Sequence, residues 1–168
     1  MNPFPRPMGG FTLLEVMVTM LLIGIVTGFA VLTIPQRASP VEEESRRLQA
    51  LLDLARQEAI LRGRPRGVRF NETGYSFLAP DDQSGWLPLE GSLRPRELPG
   101  ELSFELFVEG RPVFFDPDAE NPPPQIVLLA GGEITEFTAI LHDQAFEARP
   151  AWRLQGDLVG NLTLGPLP

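Results

Sequence analysis

One acidic residue, Glu15, lies inside an otherwise apolar stretch that runs from Phe11 to Ile34. A carboxylate at the centre of a membrane costs about 2.5 to 3.5 kcal/mol, so it needs a compensating group. If the chain were cut between Gly10 and Phe11, the new amino group of Phe11 would lie one helical turn from Glu15. Glu15 of one helix could then pair with the Phe11 amine of a neighbouring helix and set the axial register between them. The alternative is a Glu15 that is protonated or reaches the membrane surface.

The segments around Glu15 predict the elements that would hold it. Residues 11–34 form a 24-residue apolar stretch, which as a helix would reach about 36 Å, enough to cross a hydrocarbon layer of about 30 Å. Residues 1–10 are rich in Pro and end in Gly9-Gly10, which favours an accessible, flexible cleavage substrate. An ordinary secretory signal would have a shorter apolar core followed by its cleavage site. We therefore predict a cleaved leader over 1–10 and a transmembrane helix over 11–34.

The other reactive side chains offer little for catalysis. The chain contains no Cys and no Lys, which excludes thiol nucleophiles, thiolate metal sites and Schiff bases. His142 is the single His, and no Ser lies in a recognisable nucleophile turn. We therefore predict no enzymatic activity and no cofactor.

Asp116, Asp118 and Glu120 alternate with other residues in an acidic segment whose oxygens could bind calcium. The segment lacks the turn glycine and the later glutamate of an EF-hand, so a solvated loop is favoured and no metal site is predicted. The net charge of −8 argues against a nucleic-acid partner, because affinity for phosphates comes mainly from clustered cations.

A second, amphipathic helix is predicted over residues 41–62. Its apolar stripe, spaced by three and four residues, consists of Leu48, Leu51, Leu52, Ala55 and Ala59. This spacing favours packing against a core. The acids at 42–44 fall in the first turn, where they suit the helix dipole, and Gly63 ends the helix. Pro35 and Pro40 bound a linker over 35–40.

The rest of the sequence predicts short strands separated by turns. The predicted strands cover residues 68–71, 75–78, 102–108, 113–115, 126–130, 134–141, 151–154 and 158–164. Together with the helix they indicate an α+β fold, in which a long helix packs on an antiparallel sheet within a domain over 41–168.

The string Gly10-Phe11-Thr12-Leu13-Leu14-Glu15-Val16 resembles the class III signal of type IV pilins and of the pseudopilins of type II secretion systems. The resemblance implies a type IV pilin-like fold. It also implies that a prepilin peptidase cuts after Gly10 and converts Phe11 to N-methylphenylalanine. Glu15 would then direct the subunit into a helical filament.

Later segments narrow the resemblance to the minor pseudopilin H (GspH) family. They are LARQEAI at 54–60, RPRGVRF at 64–70, GW at 85–86 and GGEITEF at 131–137. The FimT-like minor pilins, which serve pilus assembly or DNA uptake, share this domain and remain the alternative.

The resemblance to the GspH family implies a single-pass inner-membrane protein whose globular domain lies in the periplasm. The implied partners are the prepilin peptidase, the minor pseudopilins I, J and K, and the major pseudopilin. Exported proteins are a further candidate partner. The implied function is that the subunit assembles into the tip complex of the periplasmic pseudopilus, which drives protein export across the outer membrane.

Overall fold

A computed structural model describes residues 12–32, 39–81, 85–100, 102–119, 121–145 and 150–167, with side chains in the first range as far as Ile25. The chain divides into two compact units, Met1–Arg37 and Ala38–Pro168. The first unit contains helix α1, Leu13–Leu32, whose described side chains are all exposed. Among the described residues, no helix combines the length and apolarity that crossing a membrane requires. The transmembrane helix over 11–34 therefore stays a prediction.

The second unit begins with helix α2, Pro40–Arg62. Ser39 caps its first turn, because the Ser39 Oγ accepts a hydrogen bond from the backbone N–H of Glu42 at 3.2 Å. Pro40 is the first helical residue, where its missing N–H has no intrahelical partner to lose. The helix ends at Gly63, which adopts the left-handed conformation at φ 60°. Pro40 therefore belongs to the helix rather than to the predicted linker.

In the described part of the chain, ten strands form two antiparallel sheets of five strands each, which confirms the α+β class but divides the predicted sheet in two. The strands of the first sheet are β1 Arg66–Asn71, β2 Gly74–Asp81, β3 Gly85–Pro88, β4 Arg96–Glu97 and β7 Ile126–Leu128. Those of the second are β5 Leu102–Val108, β6 Arg111–Val113, β8 Phe137–Asp143, β9 Trp152–Gly156 and β10 Leu162–Pro166. The order is β3-β2-β1-β7, with β4 also on β2, in the first sheet and β10-β9-β8-β5-β6 in the second.

The hydrophobic core lies between α2 and the two sheets. Leu48, Leu52, Ala55 and Ala59 of α2 are buried as their spacing predicts. Leu51 is only half-buried.

Aromatic side chains of both sheets meet edge to face in this core. The ring centroids of Phe70 and Phe104 are 5.1 Å apart, and those of Tyr75 and Phe77 are 5.9 Å apart. These perpendicular arrangements are the favoured ones for aromatic pairs. Because Phe104 comes from the second sheet, the Phe70 contact joins the two sheets.

Several predicted strands begin or end at other residues in the structure. The strand predicted over 113–115 ends at Val113, and Phe114 is exposed beyond it. The segments 126–130 and 134–141 form a short hairpin, with Leu128 bridged to Ile134, but β7 and β8 join different sheets. The strand predicted over 158–164 begins at Leu162, after a turn.

Trp86 of the GW segment packs over β1 in the first sheet. Gly67 of β1 lies beneath Pro124 and Trp86, and a Cβ at Gly67 would come within 2.7 Å of Pro124 and 3.0 Å of the Trp86 ring. The neighbouring Gln125 extends the sheet with its side chain. Its amide accepts from the Phe70 N–H at 2.8 Å and donates to the Phe70 carbonyl at 3.0 Å.

Candidate assembly site

Glu15 is the third residue of α1 and is exposed on its first turn. Thr12, which directly precedes the helix, caps this turn. Its Oγ1 accepts from the Glu15 N–H at 3.3 Å, and its carbonyl accepts from the same N–H at 3.1 Å and from that of Val16 at 3.3 Å. The positive end of the helix dipole favours a carboxylate at this position. The cap therefore fixes where the Glu15 side chain leaves the helix.

The remaining residues of the predicted site are Gly10 and Phe11. Gly10 and Phe11 lie outside the described residues, so the cleavage site and the methylated residue stay predictions. Thr19, one turn after Glu15, donates its hydroxyl to the Glu15 carbonyl at 2.7 Å. This bond ties the Thr19 side chain to the turn that carries the acid.

A second acid, Glu44 of α2, is buried at 2 % exposure. Only Glu42 and Glu43 lie in the first turn, where all three acids were predicted. Its Oε1 accepts a hydrogen bond from the Tyr75 hydroxyl at 2.7 Å, and its Oε2 lies 2.6 Å from Nη1 of Arg47. Both carboxylate oxygens therefore have partners within the domain.

Tyr75 is itself buried, at 1 % exposure. Burial raises the pKa of its hydroxyl well above the usual value, and the hydrogen bond to the charged Glu44 raises the pKa further. Tyr75 therefore remains a hydrogen-bond donor across the physiological pH range.

The sequence carried a signal for Glu44 that our prediction missed. Glu44 precedes Leu48 by four residues and so continues the buried stripe of α2 towards its first turn. Treating 42–44 as one acidic group hid that position.

The described residues of the acidic segment, Asp116 and Asp118, form a local turn. Asp116 and Asp118 are exposed, and the Asp116 Oδ1 accepts from the backbone N–H of Asp118 at 3.0 Å, which is a local turn. Glu120 lies outside the described residues. In the described ranges, no three acidic or His side chains come together as metal ligands. The weak calcium candidate gains no support.

His142 lies on β8, where Nε2 is 3.3 Å from the Glu105 carboxylate of the paired strand β5. This places the single His in a cross-strand pair with Glu105. A pair of this kind is common on sheet surfaces.

Comparison with known families gives two matches that cover both parts of the chain. Residues 44–160 match the family model described as type II transport protein GspH. Residues 6–31 match the prokaryotic N-terminal methylation motif. The second match includes Gly10, Phe11 and Glu15.

Two relatives are similar over most of their length. The type II secretion system protein H of Pseudomonas aeruginosa is 30% identical over 154 residues, which cover 86% of this chain and 88% of that protein. The protein of the same name from Escherichia coli is 31% identical over 138 residues, 79% of each chain. These matches favour type II secretion over the FimT-like alternative.

Solved structures with the same fold include two from this family. The minor pseudopilin EpsH from the type II secretion system of Vibrio cholerae has a TM-score of 0.65 and 25% identity, covering 77% of this chain and 96% of that one. The solution structure of Escherichia coli GspH has a TM-score of 0.60 and 26% identity, covering 76% and 88%. The chain therefore belongs to the GspH family, the minor pseudopilins of type II secretion systems.

Proposed function

We propose that the chain is a structural subunit of the pseudopilus, cut by a prepilin peptidase between Gly10 and Phe11 and methylated on the Phe11 amine. Residues 11–34 hold the uncut subunit in the inner membrane, with the domain in the periplasm. After cleavage, the subunit joins a filament with the minor pseudopilins I, J and K and the major pseudopilin. It acts as a building block for protein export and not as an enzyme.

The match of residues 6–31 to the N-terminal methylation motif carries this proposal. The geometry of α1 supports it, because Thr12 holds Glu15 in the first helical turn. In a filament of parallel helices, Glu15 would face the Phe11 amine of a neighbour displaced along the axis. A cation and an anion brought together in apolar surroundings compensate each other's desolvation, which sets the register.

The experiment is mass spectrometry of the full chain purified from membranes of cells that contain the prepilin peptidase. We expect a chain that begins at Phe11 and carries one methyl group. Gly10→Leu should remain uncut, because a bulky residue replaces the glycine before the cleaved bond, whereas Gly9→Ala should be processed. A wild-type chain that begins at Met1, or a Gly10→Leu chain that matures normally, would refute the proposal.

A further inference from the structure

A cleft of about 500 Å³ lies on the first sheet, between strands β1 and β2 and the residues that follow β6. Val68 and Phe70 of β1 are buried in the core, so Arg69 between them lies on the opposite, outer face of the strand. Ser76, the partner of Arg69 on β2, lines the cleft beside it, and Phe114 lines it from the segment after β6. We call this site the Arg69 cleft. Its volume falls within the range of about 300 to 1,000 Å³ that is typical of ligand sites.

The Arg69 guanidinium is partly withdrawn from water and has no partner in the described part of the chain. Its Nε is buried and forms no hydrogen bond, and the side chain forms no ion pair there. Arg66, which lies on the same strand, has the Glu58 carboxylate at 3.5 Å. Burial lowers the pKa of Arg69 below its usual value. A cation that is partly buried without a compensating carboxylate costs folding free energy, and groups of this kind concentrate at functional sites.

The neutral polar residues of the cleft add hydrogen-bond donors. The Asn71 Oδ1 accepts from the backbone N–H of Thr73 at 3.0 Å and from its hydroxyl at 3.4 Å. Because that oxygen is occupied, the Asn71 side chain offers a ligand its amide N–H groups. Gln125 bonds to the Phe70 backbone through both ends of its amide, so it lines the cleft in a fixed orientation. Together with the guanidinium, these donors suit an anionic ligand.

The acids of the cleft favour an anion with a single charge. Glu72 and Asp116 line the cleft together with Arg69. Both acids are exposed, and the Asp116 Oδ1 accepts from the backbone N–H of Asp118. Water and salt screen the repulsion from exposed carboxylates, whereas a ligand in contact with the guanidinium is screened much less. A phosphate group, with about two negative charges, is repelled more strongly than a carboxylate, which carries one.

We infer that the Arg69 cleft binds a carboxylate of another polypeptide, with the apolar residue next to that carboxylate packed on Phe114 and Phe115. A carboxylate and a guanidinium are both planar and form two parallel hydrogen bonds. Phe114 is 88 % exposed and Phe115 is half-buried, so the ligand gains apolar contact as well as charge compensation. The carboxylate belongs to a chain terminus or to an acidic side chain. The inference goes beyond the proposed function, because it requires neither cleavage nor assembly.

The test is an NMR titration of the isotope-labelled full chain in detergent, followed at the Nε–H signal of Arg69. N-acetylphenylalanine presents a terminal carboxylate, and acetyl-phenylalanyl-glutamic acid α-amide presents a side-chain carboxylate. N-acetylphenylalaninamide has the same ring without a charge and is the control. We expect at least one of the acids to shift the Arg69 signal saturably and to bind at least about tenfold more tightly than the control. The acid that binds more tightly identifies the source of the carboxylate, and binding of either acid supports the inference.

Arg69→Gln should weaken binding of the tighter acid by at least about tenfold, and Arg153→Gln, which removes an exposed arginine of β9, by less than about twofold. Arg69→Gln should lower the midpoint of denaturant unfolding no more than Arg153→Gln does, because no ion pair is lost. A larger fall, or an affinity that Arg69→Gln leaves unchanged, would overturn the inference. Acids that do not bind, or that bind no better than the amide, would also overturn it, and this comparison uses the unaltered chain.

Discussion

Glu15 and Glu44 are both acids near the start of a helix, but the two helices place them differently. Glu44 is buried, and each of its oxygens contacts a partner in the same domain, Tyr75 or Arg47. Glu15 is exposed on α1, among side chains that are themselves apolar and exposed. An acid compensated within its domain contributes to folding, whereas an acid exposed on an apolar helix is suited to pair with another chain.

Replacing Glu15 should give the largest functional effect and leave folding unchanged. Glu15→Ala removes one member of the proposed intersubunit pair, and breaking a buried pair costs about 3 to 5 kcal/mol. We expect normal cleavage but a loss of filament incorporation of more than about a hundredfold. Glu43→Ala, which removes an exposed acid of α2, is the control. Normal secretion by the Glu15→Ala subunit would contradict the register role.

Replacing Glu44 should instead lower the stability of the folded domain. Glu44→Gln keeps the side-chain volume but loses the charge that strengthens its hydrogen bonds, so the free energy of unfolding should fall by about 2 kcal/mol. Denaturant unfolding of the full chain in detergent measures this change. Glu43→Gln, whose carboxylate is exposed, should change it by less than about 0.5 kcal/mol. Equal effects of the two variants would mean that the bonds of Glu44 contribute little to stability.

The structure also predicts a pH dependence that belongs to the Glu44 region. Because the pKa of Tyr75 is raised in the folded protein, its contribution to stability is complete below the unfolded pKa of about 10. As the pH rises above that value, stability should fall by about 1.4 kcal/mol per pH unit, because only the unfolded chain releases the proton. The free energy of unfolding of Tyr75→Phe, measured between about pH 9 and about pH 12, should not show this fall. An identical alkaline decline in both proteins would exclude Tyr75 as its source.

A smaller effect is expected at the cap of α1. Thr12→Val keeps the shape of the side chain but removes the oxygen that accepts from the Glu15 N–H, which costs about 1 kcal/mol of helix stability. Filament incorporation should fall by about fivefold, and Thr12→Ser should restore it. Incorporation that is unchanged in Thr12→Val would show that the cap does not position Glu15.

The sequence predicted α2 well because its stripe, caps and flanking residues agree. Leu48, Leu52, Ala55 and Ala59 are buried as expected, and Gly63 ends the helix. The strands β3 and β4 were missed because they are short and lie among Gly and Pro residues, which disfavour strands.

Two further misses depend on contacts that periodicity does not encode. Alternation predicted the strands around Leu128 and Phe137 but could not indicate that they join different sheets. The burial of Glu44 was not predicted, because a buried acid depends on Tyr75, which is distant in the sequence and comes close only in the fold. For the assembly site, the spacing of Gly10, Phe11 and Glu15 predicted the chemistry, and the structure added the Thr12 cap.

Carbodiimide coupling of assembled filaments tests the pairing of Glu15 with Phe11 most directly. The chain contains no Lys, so after cleavage the Phe11 amine is its one aliphatic amine. We expect a covalent adduct between two subunits, in which mass spectrometry finds the Phe11 nitrogen joined to the acid at the Glu15 position of the neighbour. Assembled subunits whose Phe11 nitrogen couples to a different carboxylate would contradict the pairing.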